Sequence, residues 1–133
     1  MVKTMSANHL VKDRMLDLKN FPVLSVDATL KKALDAMTEL RLGVACFVDS
    51  NNILKGLLTD GDLRRLILTK QSPLPALLVS RAVEFGTTAP STILPEESID
   101  VAASRMNEKH IWDLPVVDAN GQLLGLVHRH DVI

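Results

Sequence analysis

Two short strings hold the residues most able to do chemistry. In Gly56-Leu57-Leu58-Thr59-Asp60-Gly61-Asp62-Leu63 an apolar strand runs straight into a helix start, with a hydroxyl and two carboxylates at the junction. In Gly125-Leu126-Val127-His128-Arg129-His130-Asp131 two imidazoles and a carboxylate stand at the same place. Backbone N–H groups at a new helix start are unpaired and carry partial positive charge. An anion can therefore sit there while a nearby carboxylate accepts from sugar hydroxyls.

The same residues could be read as an enzyme's acid, base or metal ligands, from Asp60, Asp62, His128, His130 and Asp131. Paired carboxylates must share one site to shift each other's pKa, and the two strings belong to separate corners. His128, His130 and Asp131 could form a metal site only if the strand continued far enough to keep both imidazoles on one face; a strand that ends near His128 turns His130 away. The reading is therefore of no catalytic residue and no metal site. Thr59 and Asp60 also suit a helix N-terminus without any ligand, which makes a ligand-free dimerisation block a further alternative.

The two strings are copies of one corner, because shifting by 69 residues carries Gly56 to Gly125, Leu57 to Leu126 and Asp62 to Asp131. Ala33, Met37, Glu39, Val48, Asp49, Asn51 and Leu54 recur at the same offset as Ala102, Met106, Glu108, Val117, Asp118, Asn120 and Leu123. Identities at one ungapped offset, spread over helix, strand, turn and corner, mark a tandem repeat.

The elements that position the corners follow from apolar spacing. Leu10 to Leu18 can form a short helix, and Phe21 to Val26 reads as a strand with Pro22 at its start. Thr29 can cap a helix whose face is Leu30, Ala33, Leu34, Met37 and Leu40, and Gly43 is expected to end it. Val44 to Val48 is a continuous apolar run of strand length, so it should be a central strand with Cys46 as a buried thiol. Asp49-Ser50-Asn51-Asn52 supplies a turn that returns Ile53 to Leu58 as a hairpin, and Leu63, Leu66 and Ile67 then recur at helical spacing. After a proline-containing connector, Leu77 to Phe85 begins the second copy. Its helical face is Ile99, Ala102, Ala103 and Met106, its central strand Leu114 to Val117, its turn Asp118-Ala119-Asn120-Gly121. The last helix is barely begun at Ile133, as in a chain cut from something longer. Met1 to Asn8 is polar, irregular and assigned no function.

The expected fold is mixed α/β (α+β): two β-α-β-β-α repeats, residues 10–70 and 77–133, packed through their sheets with pseudo-twofold symmetry and clefts between them. With 133 residues, 47% of them hydrophobic, the chain can bury a real core. A net charge of −1 with both signs interspersed offers no basic face for nucleic acid and no polybasic segment for a membrane. No apolar run approaches the roughly 20 residues that span a bilayer, and no signal-peptide core precedes Leu10, which points to the cytoplasm.

Two units of this order, each with a central strand ending in Phe-Val-Asp or Val-Val-Asp, a hairpin, and Gly-apolar-apolar-Thr-x-x-Asp in the first, resemble a pair of cystathionine β-synthase (CBS) domains, the Bateman module. The resemblance covers about residues 10 to 133. It implies a regulatory pair that binds adenosine nucleotides or related ligands in inter-repeat clefts and needs no other cofactor. It implies that Thr59 contacts phosphate and Asp62 the ribose hydroxyls, with Asp131 in the ribose role at the second corner. There His128 replaces the Thr or Ser of the family pattern; a neutral imidazole donates one hydrogen bond, whereas a protonated one pairs with an anion. The wall opposite Thr59 and Asp62 would be Gly86, Thr88, Ser91, Ile111 and Trp112. Trp112 would either stack on a base or pack at a sheet edge.

Thr59-Asp60-Gly61-Asp62-Leu63-Arg64-Arg65 and His128-Arg129-His130-Asp131 are similar to the CBS pair that follows the sugar-isomerase domain of bacterial arabinose-5-phosphate isomerases. Those enzymes supply a precursor of Kdo, a lipopolysaccharide or capsule sugar. The resemblance implies AMP, ADP, ATP or a CMP-linked sugar as ligand and the catalytic domain of a longer chain as partner. CBS pairs of sugar nucleotidyltransferases use similar strings and remain an alternative. A homodimer is expected, since the helix face of Leu63, Leu66 and Ile67 calls for a partner.

Overall fold

The computed structural model describes residues 9–131, so Met1 to Asn8 and the last two positions lie outside the described residues. The chain divides into two compact units: residues from Asn20 to Pro90, and those up to Lys19 together with those from Ser91 onward.

In the first of these, β1 (Val23–Ser25) pairs parallel with β2 (Val44–Val48), which pairs antiparallel with β3 (Leu54–Thr59). The helix α2 (Leu30–Leu40) makes the crossover that parallel strands require. It starts where Thr29 accepts from the Lys32 N–H at 3.2 Å. Its buried residues are Leu30, Ala33 and Met37, while Leu34 is half-buried and Leu40 exposed. The helix ends at Arg41, in the left-handed region with φ 57°, and not at Gly43. Both bonds that close it come from that turn, with the Arg41 N–H donating to the carbonyls of Met37 and Thr38. The hairpin turn is held by Asp49, whose Oδ1 accepts from Asn51 N at 2.9 Å and Ile53 N at 3.0 Å. Cys46 is fully buried in β2.

The corner helix α3 (Asp60–Thr69) follows β3 directly, and α4 (Leu74–Leu78) and a 3-10 turn (Ala82–Phe85) come after it. Leu66 of α3 is buried and Leu63 packs against the same core, so the face assigned to a partner is largely consumed by the unit itself. Ile67 and Leu68 stay 71% and 77% exposed. Leu77, Ala82 and Val83 join the core of Ala28, Leu30, Met37, Phe47 and Leu58. The stretch read as opening the second copy therefore packs on the first hairpin. Leu57 and Thr87 exchange backbone bonds of 2.9 and 2.8 Å, and a Cβ on Gly86 would lie 2.1 Å from the Leu57 carbonyl oxygen.

The other unit repeats the plan with the opposite leading segment. The short helix α1 (Val11–Arg14) buries Val11 against the core of Ile93, Ile99, Met106, Leu114 and Val127. Leu16 exchanges backbone bonds of 2.8 and 3.1 Å with Leu126. The helix α5 (Ile99–Lys109) is capped by Ser98, which accepts from Val101 N at 3.2 Å, and it ends at His110 with φ 54°. Ile99, Ala102 and Met106 are its buried face. Then β4 (Asp113–Val117) pairs antiparallel with β5 (Leu123–His128), and a 3-10 turn (Arg129–Asp131) follows.

The expected first strand of this repeat shrinks to a single parallel bridge, Ile93 with Val116. Its register explains why. Val26 donates its N–H to the Val48 carbonyl at 3.0 Å and Cys46 its N–H to the Pro22 carbonyl at 2.9 Å, whereas the residues 69 positions on are Pro95 and Pro115, which have no N–H to give.

Candidate functional site: two corners at the strand-helix junctions

The first corner is a reciprocal cap. The Thr59 side chain accepts from Asp62 N at 3.3 Å, and Asp62 Oδ2 accepts from Thr59 N at 2.9 Å and from Thr59 Oγ1 at 3.2 Å. The other carboxylate oxygen pairs with the Arg65 guanidinium. The Asp62 side chain is only 10% exposed because it closes this box. It still has lone pairs to offer, since an ionised carboxylate accepts at about four positions. Asp60 is exposed beside it and donates its N–H to the Gly43 carbonyl at 3.0 Å.

Gly43 leaves room for the Asp60 side chain in that approach. A Cβ there would lie 2.2 Å from Asp60 Oδ2, so the acid occupies the space a side chain would take. An open groove of about 310 Å³ runs past this point, bordered by Met37, Arg41, Gly43 and Asp60.

The second corner keeps the backbone and exchanges the side chains. His128 N donates to Asp131 Oδ2 at 3.0 Å, as Thr59 N does to Asp62. Arg129 N donates to the Trp112 carbonyl at 2.8 Å, as Asp60 N does to that of Gly43. Where the first corner sets Asp60 against a bare glycine, the second sets the Arg129 guanidinium over the Trp112 ring at 5.0 Å. Trp112 is 55% exposed, so it is neither buried nor packed flat into the sheet. Where Val44 faces Thr59 across the first ladder, Asp113 faces His128 across the second, with His128 Nδ1 2.7 Å from Asp113 Oδ1.

His130 does not turn away as expected: its ring centroid lies 4.9 Å from that of His128, because the 3-10 turn folds back at once. Among the described residues no group of three or more His, Cys, Asp or Glu side chains could hold a metal.

Of the residues singled out from sequence, Thr59, Asp62, Gly86 and Thr88 belong to the unit from Asn20 to Pro90, and Ser91, Ile111, Trp112, His128 and Asp131 to the other. Gly86 abuts β3 two residues before Thr59, at Leu57, while Thr88 is exposed and Ser91 and Ile111 are half-buried. Sequence reasoning missed Asp113. The signal for Asp113 was available: it is the polar residue that the repeat offset sets on Val44, in an otherwise apolar strand.

Comparison with known proteins settles the family. The CBS domain model matches residues 11–69 and 82–133. The chain belongs to the CBS-domain family. This CBS pair is similar in fold to a solved CBSX2 in complex with AMP, at 26% identity and a TM-score of 0.81, covering 94% of this chain and 93% of that one. In sequence it is 34% identical over 92% of its length to the arabinose 5-phosphate isomerase KdsD of Yersinia pestis, covering 36% of that protein. It is likewise 34% identical over 88% of its length to a probable arabinose 5-phosphate isomerase of Haemophilus influenzae, covering 33% of it. The chain thus spans about a third of the length of the curated relatives it matches. CBS pairs are regulatory modules, and the catalytic reading of the two aspartate corners gives way to this one. Among the described residues no helix is long and apolar enough to cross a membrane.

Proposed function

We propose that this CBS pair senses an adenosine nucleotide, AMP, ADP or ATP, or a CMP-linked sugar, and modulates an attached arabinose-5-phosphate isomerase domain. The parent enzyme would act in the cytoplasm on the carbohydrate route toward lipopolysaccharide, and the pair would assemble as a homodimer. The observation that carries the ligand reading is the first corner, where a hydroxyl, a largely buried carboxylate and a fresh helix start meet beside an open groove. That corner can offer the Gly61 N–H to phosphate and carboxylate oxygen to vicinal ribose hydroxyls. The AMP in the CBSX2 complex supports the nucleotide class. The isomerase partner is supported by the KdsD relatives, and a sugar nucleotidyltransferase is the alternative partner. Gly86, Thr88, Ser91, Ile111 and Trp112 are proposed as further ligand contacts on the family resemblance, as are His128 and Asp131.

One observation favours the ligand-free dimerisation reading: Asp62 and Asp131 each cap their own corner, which explains their presence without a nucleotide. Thermal unfolding with AMP, ATP and a CMP-linked sugar tests the proposal. A ligand at 100 times its Kd adds about 2.7 kcal/mol of stability. A melting point indifferent to all three contradicts the ligand reading and leaves the dimerisation block.

A further inference from the structure

Among the described residues Asp113 is the one charged residue counted within the buried core. It opens β4 directly across the ladder from His128, and its oxygen lies 2.7 Å from the imidazole Nδ1. An ionised carboxylate only accepts, so the pair fixes a proton on Nδ1. In the neutral ring Nε2 is then left with its lone pair. Among the described residues it has no hydrogen-bond partner, and the side chain is 24% exposed.

The charged groups around the ring come from every element packed at this corner. Asp113 approaches from β4, and Asp131 accepts from the His128 N–H at 3.0 Å from the turn. His130 lies ring to ring at 4.9 Å, and Arg129 is turned onto Trp112. From α1, Arg14 donates to the Asp131 carbonyl at 3.3 Å and reaches His9 Nδ1 at 3.0 Å.

A lone pair at Nε2 repels an anion, so a phosphate oxygen can settle there only when that nitrogen also carries a proton. The Asp113 carboxylate, 2.7 Å from Nδ1, then balances the charge of the imidazolium. We infer that the second corner is an oxyanion site that takes up one proton from solvent as it fills. Asp113 is its positioning residue, holding the ring by Nδ1 so that the newly protonated Nε2 donates to a phosphate oxygen. The inference rests on the nucleotide reading for the pair but assigns the second corner a different chemistry from the first, where the Thr59 hydroxyl has no proton to gain.

Titration calorimetry of the chain with AMP, and separately with inorganic phosphate, in buffers of different ionisation enthalpy at about pH 6 and about pH 8, tests it. One-proton uptake makes the affinity of this corner fall by up to about tenfold per pH unit. Long-range ¹H–¹⁵N spectra should show His128 with protonated Nδ1 alone when free and both nitrogens protonated when filled. The double variant Asp113→Val with His128→Thr, which transplants the Val44 and Thr59 pair, should abolish the uptake. Nucleotide binding without uptake and with unmoved ring signals overturns the inference and leaves the nucleotide reading intact. Phosphate binding with uptake but no response to AMP supports the inference and overturns that reading. Binding of neither probe at about pH 6 overturns both.

Discussion

The two corners share a backbone and differ in two exchanged pairs, which separates what the fold needs from what the ligand meets. Both end a hairpin strand, both close with an N–H to carboxylate bond of 2.9 or 3.0 Å, and both tie the next residue back to the start of the central strand. Those features are common because the hairpin cannot enter its turn without them. The exchanged pairs, Gly43 with Asp60 against Trp112 with Arg129, and Val44 with Thr59 against Asp113 with His128, swap an acidic, open corner for a basic and aromatic one. Since each exchange replaces both partners of a contact, the corners could diverge without loss of packing.

The strongest way to break this comparison is to disturb the backbone that the corners have in common. A Cβ at Gly86 meets the Leu57 carbonyl at 2.1 Å, and one at Gly125 meets the Leu16 carbonyl at 2.7 Å and Met15 Sδ at 2.6 Å. Backbone cannot swing aside, so Gly86→Ala and Gly125→Ala should each cost about 1 to 3 kcal/mol or more, read from chemical denaturation. An unchanged midpoint in either would mean that the leading segments are not held as described.

The caps should differ in strength. Asp62 accepts two bonds from Thr59 and pairs with Arg65, whereas Asp131 accepts one from His128 N. Asp62→Ala should cost about 1 to 2 kcal/mol and Asp131→Ala about half of that, in the range of lost helix caps. Equal losses would remove the asymmetry.

Gly43→Ala should be nearly neutral, within about 0.5 kcal/mol, although its Cβ would fall 2.2 Å from Asp60. The neighbour there is the free end of an exposed side chain, which can rotate away. A loss as large as that of Gly86→Ala would show that Asp60 is fixed.

The smallest effect belongs to the turns. Backbone N–H groups of Ile53 and Asn51, with Lys55 nearby, hold the Asp49 carboxyl below the usual carboxylate range. A depressed folded-state value contributes stability above the ordinary carboxylate pKa of about 3.9, and that contribution is lost as pH falls through the folded value. Asp49→Asn should therefore lower stability slightly near neutrality and converge with the parent as pH falls through the folded value, which flattens the acid limb. A loss of equal size in acid and at neutral pH would contradict the assignment.

Much of the fold was legible because repeat identity and local chemistry agree. Thr29 and Asp49 act as their residue types imply, and Val44 to Val48 is the central strand its apolar run demands. Apolar spacing shows that a segment is buried but not against which hairpin, so only the structure shows Leu77, Ala82 and Val83 in the core of the first hairpin. The shortened strand at Ile93 depended on two missing N–H groups, at Pro95 and Pro115, visible only once the register at Val26 and Cys46 is known. At the site, residue types located both corners, yet the Asp62 cap and the Asp113–His128 contact needed geometry. The first is a matter of which way a carboxylate turns, the second of cross-strand register.

The central claim is that the first corner binds a ribonucleotide through Asp62, and Asp62→Asn tests it better than removal of the side chain. The amide oxygen can still accept from Thr59 N, so the helix start should survive, while the charge offered to ribose hydroxyls is lost. Charge-assisted bonds contribute roughly 1.5 to 3 kcal/mol. Titration calorimetry with AMP should accordingly show saturable binding to the parent chain and about tenfold to a hundredfold weaker binding at this corner in Asp62→Asn, with a melting point close to the parent's. AMP affinity unaltered in a variant that melts lower would mean that Asp62 only holds the helix, and the ligand reading of the corner would be wrong.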